Sequence, residues 1–162
     1  MPNSETTVLL STLRAQRAHV LGALDGLEDE ALRRPVLPSG WTCLGLVRHL
    51  ALDVERFWFR AVVAGEQVPL PEGDEGWRVP AGESAADVLN LYRRECALSD
   101  EIIAGLPLAA EPVWWPDVLF ADLPRRDLRR TVLHVVTETA THAGHLDAVR
   151  ELIDGRSWLV LT

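Results

Sequence analysis

The sequence predicts an all-α protein, a four-helix bundle with long crossover connections. Four long segments repeat apolar residues at helical spacing, and irregular Pro-containing connections, two of them long, separate them. No stretch shows the strict alternation of a half-buried strand. With 162 residues and 48% hydrophobic residues, the chain suits one domain over 1–162 whose core needs no disulfide or metal to hold it.

The first helix is expected from Ser4 to Leu27, with Val8, Leu9, Leu13, Val20, Leu21 and Leu24 along one stripe and Arg14, Gln16 and Arg17 elsewhere. "LEDEALRRPVLPSGWT" holds at most one short helical turn before Pro35 and Pro38 stop it. Thr42 then caps the second helix, "CLGLVRHLALDVERFWFRAVVAG", which ends near Gly65. Residues 66–83 read as a surface loop. Ser84 caps the third helix, and Asp87 three positions on forms a capping box with Asp in place of Glu. A second connection, 107–126, contains Trp114-Trp115. The fourth helix starts near Asp127 and runs to about Ile153, closed by Asp154-Gly155, and the tail "RSWLVLT" is short and apolar.

The formal net charge of −8, with no basic run, argues against a nucleic-acid binder. Every basic residue is arginine, which indicates a GC-rich coding background rather than a mechanism. The N-terminus lacks the pattern of a signal peptide, and no apolar run approaches the ~18 residues a membrane span needs. Cys43 and Cys96 lie far apart and form no CxxC. A cytoplasmic protein with reduced thiols and no membrane partner is expected.

The chemistry gathers in "HVVTETATHAGHLDAVRELIDG", which holds three of the five histidines. At about 100° per residue, Glu138, His142 and His145 lie at about 40°, 80° and 20° from His134, so all four share one narrow face. Ionisable groups facing a bundle core are costly unless paired or bound to metal. Glu138 and His142, four apart, project together and could chelate one cation. A third ligand must come from another helix, where only His19 and His49 remain. His49 sits mid-helix beside Leu46, Leu50 and Asp53, whereas a half-buried structural histidine is the simpler reading of His19. Two ligands on one helix and one on another leave an open coordination position, the layout of a catalytic rather than a structural site.

"HLALDVERFW", "PSGWT" and "ETATHAGHLDAVRELIDG" together resemble the signature segments of the DinB-like superfamily, in the branch that includes the mycothiol S-transferases. The resemblance covers most of the chain and implies a four-helix bundle with a metal triad at one end. Carried over by motif, the ligands are His49, Glu138 and His142. Glutamate at 138 matches the mycothiol-dependent maleylpyruvate isomerase type, where many relatives have a third histidine. His145 falls where many relatives have glutamine, which makes it a weaker ligand candidate.

The resemblance implies a metal-dependent transferase that activates a low-molecular-weight thiol, mycothiol in this branch, for attack on a small electrophile. Two imidazoles and one carboxylate suit Zn²⁺, and Ni²⁺, Fe²⁺ and Mn²⁺ are compatible with the same ligands. One of the flanking His134 and His145 accepts the thiol proton or orients Glu138. Asp147 and Arg150 follow on the same helix and offer polar groups to the sugar-bearing thiol, although Arg150 could instead pair with Asp154. Asp53 either orients the His49 imidazole or is solvated. Trp41, Trp77, Trp114 and Trp115 lie in or beside loops, where they pack the loops down or wall a pocket for an apolar electrophile. Neither cysteine is placed like a nucleophile. A non-catalytic metal-binding stress protein and a metal hydrolase stay open as alternatives, as do monomer and homodimer.

Overall fold

The computed structural model describes residues 4–158, so Met1–Asn3 and the end of the apolar tail, 159–162, lie outside the described residues. The described residues form helices and no strand. In order they are α1 (Ser4–Ala23), a short α2 (Asp29–Arg33), α3 (Cys43–His49), α4 (Ala85–Gly105) and α5 (Leu128–Asp154). α3 runs directly into a π-wound segment, Leu50–Val63, and a 3₁₀ turn, Glu75–Trp77, interrupts the connection that follows. α1 packs along α5 and α4 along the π segment, with further contacts of α3 on α4 and of α5 on the π segment.

The expected caps are present. Thr42 Oγ1 accepts from the Gly45 amide at 3.0 Å. Ser84 and Asp87 make the reciprocal capping box, and Gly155, with φ of 74°, terminates α5. α1 ends at Ala23 rather than Leu27. The following amides turn back three residues instead of four. The Arg150 guanidinium donates to the carbonyls of Ala23 at 3.0 Å and Asp25 at 2.7 Å, placing a cation on the helix C-terminus.

The π winding was not legible in the sequence and explains how the second long helix is buried. Most of its covered positions recur every four residues, Leu50, Val54, Trp58 and Val62, and beside them Ala51, Glu55, Phe59 and Val63, with Leu52 and Ala61 buried as well. In an α-helix, four-residue spacing drifts about 40° per step. Wider winding, with the Ala64 amide bonding the Phe59 carbonyl at 2.9 Å, keeps these side chains on one face.

One of those positions is a glutamate. Glu55 is 1% exposed and Arg17 on α1 is 5% exposed. They make a two-pronged pair at 2.7 Å on each prong, and Arg17 also reaches Asp100 on α4 at 2.6 Å. Burial alone would lower the Arg17 pKa; the charge and hydrogen bonds of Glu55, helped by Asp100, outweigh it and raise it. This pairing explains two departures from the expected α1 stripe: Arg17 is buried, while Val8 faces solvent and Leu10 packs inward. A second buried carboxylate, Glu95, receives Arg56 at 2.7 Å and Arg60 at 3.1 Å from the π segment. Burial pushes the Glu95 pKa up, but the two arginines prevail and lower it.

The second connection is tied down by backbone hydrogen bonds. The amides of Val113 and Trp114 bond the carbonyls of Val63 and Val62 at 3.2 and 3.1 Å, and the Leu128 and Arg129 amides bond the Ala110 and Leu108 carbonyls at 2.9 Å. Among the described residues, no helix is long and apolar enough to cross a membrane.

Three outcomes follow from these ion pairs and from an exposed one. Glu55→Ala leaves the Arg17 guanidinium buried with only Asp100 and is expected to cost about 3 kcal/mol or more in urea unfolding. Glu5→Ala, which breaks the exposed pair with Arg129, should cost less than about 1 kcal/mol. Because the Glu95 pKa is lowered on folding, its contribution is present above the ordinary value of 4.5 and is lost as pH falls through the folded value. Unfolding curves from pH 6 downward should therefore lose stability less steeply in Glu95→Gln than in the parent protein.

Candidate metal centre

α5 brings Glu138 and His142 to the same face one turn apart, and the end of α3 brings His49 opposite them. Ligand atoms of these three residues all lie within 4.8 Å of one another. His142 Nε2 stands 3.8 Å from Glu138 Oε2. The His49 and His142 rings meet edge to face with centroids 5.2 Å apart. His49, rather than His19, is thus the histidine that joins the pair on α5.

His49 is held from behind. Its Nδ1 lies 2.7 Å from Asp53 Oδ2. A carboxylate only accepts, so Nδ1 carries the proton and Nε2 presents its lone pair. Trp77 stacks on the same imidazole with centroids 4.2 Å apart and planes 15° from parallel. That stacking requires the 3₁₀ turn to approach the helix closely, and two glycines permit it. A Cβ on Gly45 would collide with the Trp77 carbonyl, and one on Gly76 would collide with the Asp53 carboxylate. The sequence reading passed over both glycines, because neither sits in a turn motif and only the tertiary approach reveals them.

His142 is half-buried. Burial, with the neighbouring His49, depresses its pKa to about 4 against the opposing pull of Glu138, so it is a neutral imidazole at physiological pH. Neutral imidazole is the form that ligates a metal. The donor set passes the test of fit. Two donors at about 2.1 Å from a tetrahedral ion stand about 3.4 Å apart, so the 3.8 Å between His142 and Glu138 closes with a small side-chain rotation.

The flanking residues separate to two sides. His145 is exposed, with its Nδ1 at 3.4 Å from His142 Nδ1 and its ring 6.3 Å from Trp41. His134 is half-buried edge-on to Trp58 at 4.9 Å. Burial, and then the charge of Arg126, lower the His134 pKa against Glu138. The Arg126 guanidinium lies over the Trp58 ring at 5.2 Å. Phe120 and Trp115 complete an aromatic wall, with Phe120 stacked on Trp58 at 5.5 Å.

Asp147 and Arg150 lie further along α5, about 7 and 12 Å from His142 along the axis. Asp147 pairs with His19 Nε2 at 2.7 Å. Arg150 is committed to both Asp154 carboxylate oxygens and to the end of α1. Of the loop tryptophans, Trp41 and Trp77 flank the triad, Trp115 is buried beneath the second connection, and Trp114 is partly exposed beside Phe57. Cys43 is buried, which pushes its thiol up to about 11, and burial likewise raises the Cys96 thiol. Neither forms a thiolate near neutrality.

Among the described helices, two imidazoles and a carboxylate thus converge beside Trp77 in an arrangement that could hold a metal ion. The chain belongs to the mycothiol-S-transferase family, whose model matches residues 8–155. That agrees with the resemblance carried by the motifs of α3 and α5. Among curated proteins and among solved structures, nothing matches.

Asp53→Asn would keep the shape of the His49 partner but remove its charge, and should weaken Zn²⁺ binding about 10- to 100-fold in competition with a chelating dye. Gly76→Ala should act in the same direction by pushing the turn off Asp53, with the helical circular dichroism signal unchanged.

Proposed function

We propose that the protein is a metal-dependent mycothiol S-transferase built as a DinB-like four-helix bundle in one domain, with His49, Glu138 and His142 as ligands. The observation that carries this is the convergence of the three ligand atoms in a chain of the mycothiol-S-transferase family. A divalent ion there, Zn²⁺ by ligand type with Ni²⁺, Fe²⁺ and Mn²⁺ as alternatives, supplies an open position and the charge that lowers the pKa of an incoming thiol.

The chain's own residues do the rest. Asp53 and Trp77 fix the His49 ring so that its free nitrogen faces the opening. His145, exposed and beside His142, accepts the thiol proton and passes it to solvent. His134, kept neutral by its surroundings, orients Glu138 from the other side. The thiol sulfur attacks the electrophilic carbon of the second substrate as the leaving group departs or the double bond takes a proton. Asp147 and Arg150 act at a distance by holding α5 against α1. The nucleophile is exogenous, since the raised pKa values of Cys43 and Cys96 keep both as thiols near neutrality.

The test is single-turnover conjugation of a bimane or chlorodinitrobenzene by metal-free and reconstituted protein with mycothiol. Reconstitution should raise the rate by about 10²-fold or more. His142→Ala should lose both metal content and this gain while remaining folded, and His145→Gln should keep the metal and change the rate only modestly. Equal rates with and without metal would remove the proposal.

A further inference from the structure

A cavity of about 450 Å³ opens beside the triad, lined by Ser39, Trp41, Thr42, Asp74, Trp77 and Arg78. We infer that this cavity binds the sugar portion of the thiol substrate, an inference that rests on the transferase reading above. Its position is the first reason. Trp77, one of its walls, stacks on His49 and stands 5.7 Å from the His142 ring. Trp41, another wall, lies against His145. A ligand seated here extends directly to the triad, on the side where the proton acceptor lies.

Its chemistry is the second reason. Two indole rings supply flat apolar platforms of the kind that cover the C–H face of a pyranose or cyclitol. Around them stand hydroxyls on Ser39 and Thr42, a carboxylate on Asp74 and a guanidinium on Arg78, the last two paired at 2.7 Å. Thr42 Oγ1 already accepts from Gly45, so its proton is available to a ligand oxygen. Donors and acceptors thus alternate around an aromatic floor. That pattern matches a polyol, whose hydroxyls both give and receive, better than an anion, which Asp74 would repel, or an apolar electrophile, which would strand the polar rim.

The opposite side of the triad differs in kind. There Trp58, Trp115 and Phe120 pack ring against ring, with the Arg126 guanidinium over Trp58. Along α5, His145 and His134 are about 16 Å apart with the ligand pair between them. The polar cavity and the packed aromatic cluster therefore lie toward opposite ends of the histidine face.

The test uses the whole metal-free protein and the thiol-free glucosaminyl-inositol fragment. In ¹H–¹⁵N spectra, the indole signals of Trp41 and Trp77, assigned through Trp41→Phe and Trp77→Phe or by triple resonance, should shift saturably on titration, while those of Trp58 and Trp115 stay in place. With reconstituted enzyme, Trp41→Ala and Asp74→Ala should lower the preference for mycothiol over N-acetylcysteine, measured as a ratio of kcat/KM, at least tenfold at unchanged metal content. No shift, a shift confined to Trp58 or Trp158, or a preserved preference would overturn the inference. Fragment binding at Trp41 and Trp77 in a protein whose metal adds nothing to conjugation would sink the transferase reading and leave the sugar site standing.

Discussion

Buried charge must be matched, and in this protein the matching sets how the helices sit on one another. Glu55 and Glu95 are both removed from water, and each is held by arginine from a different element. Arg17 joins α1, the π segment and α4 through a single guanidinium. A lone charge at any of these positions would cost several kcal/mol, so alternative packings that separate the partners are disfavoured. The same rule governs α5, where Asp147 takes His19 and Arg150 takes Asp154 and the carbonyls that end α1.

Set beside these satisfied groups, the triad stands out. Two half-buried imidazoles and a carboxylate face one another with no arginine between them. Burial and the neighbouring His49 disfavour the charged form of His142. A divalent ion is the partner that would satisfy all three at once, which is the physical content of the metal assignment.

The surroundings of the triad come from loops, and loops are where this fold can vary its chemistry without disturbing its core. The first connection contributes Trp77 through a close approach that Gly45 and Gly76 allow. The second is anchored at both ends by backbone hydrogen bonds and lays Trp115 and Phe120 over Trp58. One side of the histidine face is thereby polar with indole platforms and the other is aromatic.

Much of this was legible in the sequence, because it depends on local periodicity. Helical spacing alone places Glu138 and His142 on one face, and Thr42, Ser84, Asp127 and Gly155 mark helix ends through hydrogen bonds that span only a few residues. The motif resemblance named the family correctly. What depends on contacts between distant segments was not legible. The motif selects His49 over His19 as the third histidine, but only the fold shows why, directing His19 to Asp147 and His49 to α5. Arg17 reads as a surface residue until Glu55 meets it across the interior. The π winding, the two glycines under Trp77, the pairing of Asp147 with His19 and the hold of Arg150 on the end of α1 likewise arise only when elements pack. A side chain's own helix determines which way it points, but the helix it meets determines what it can do there.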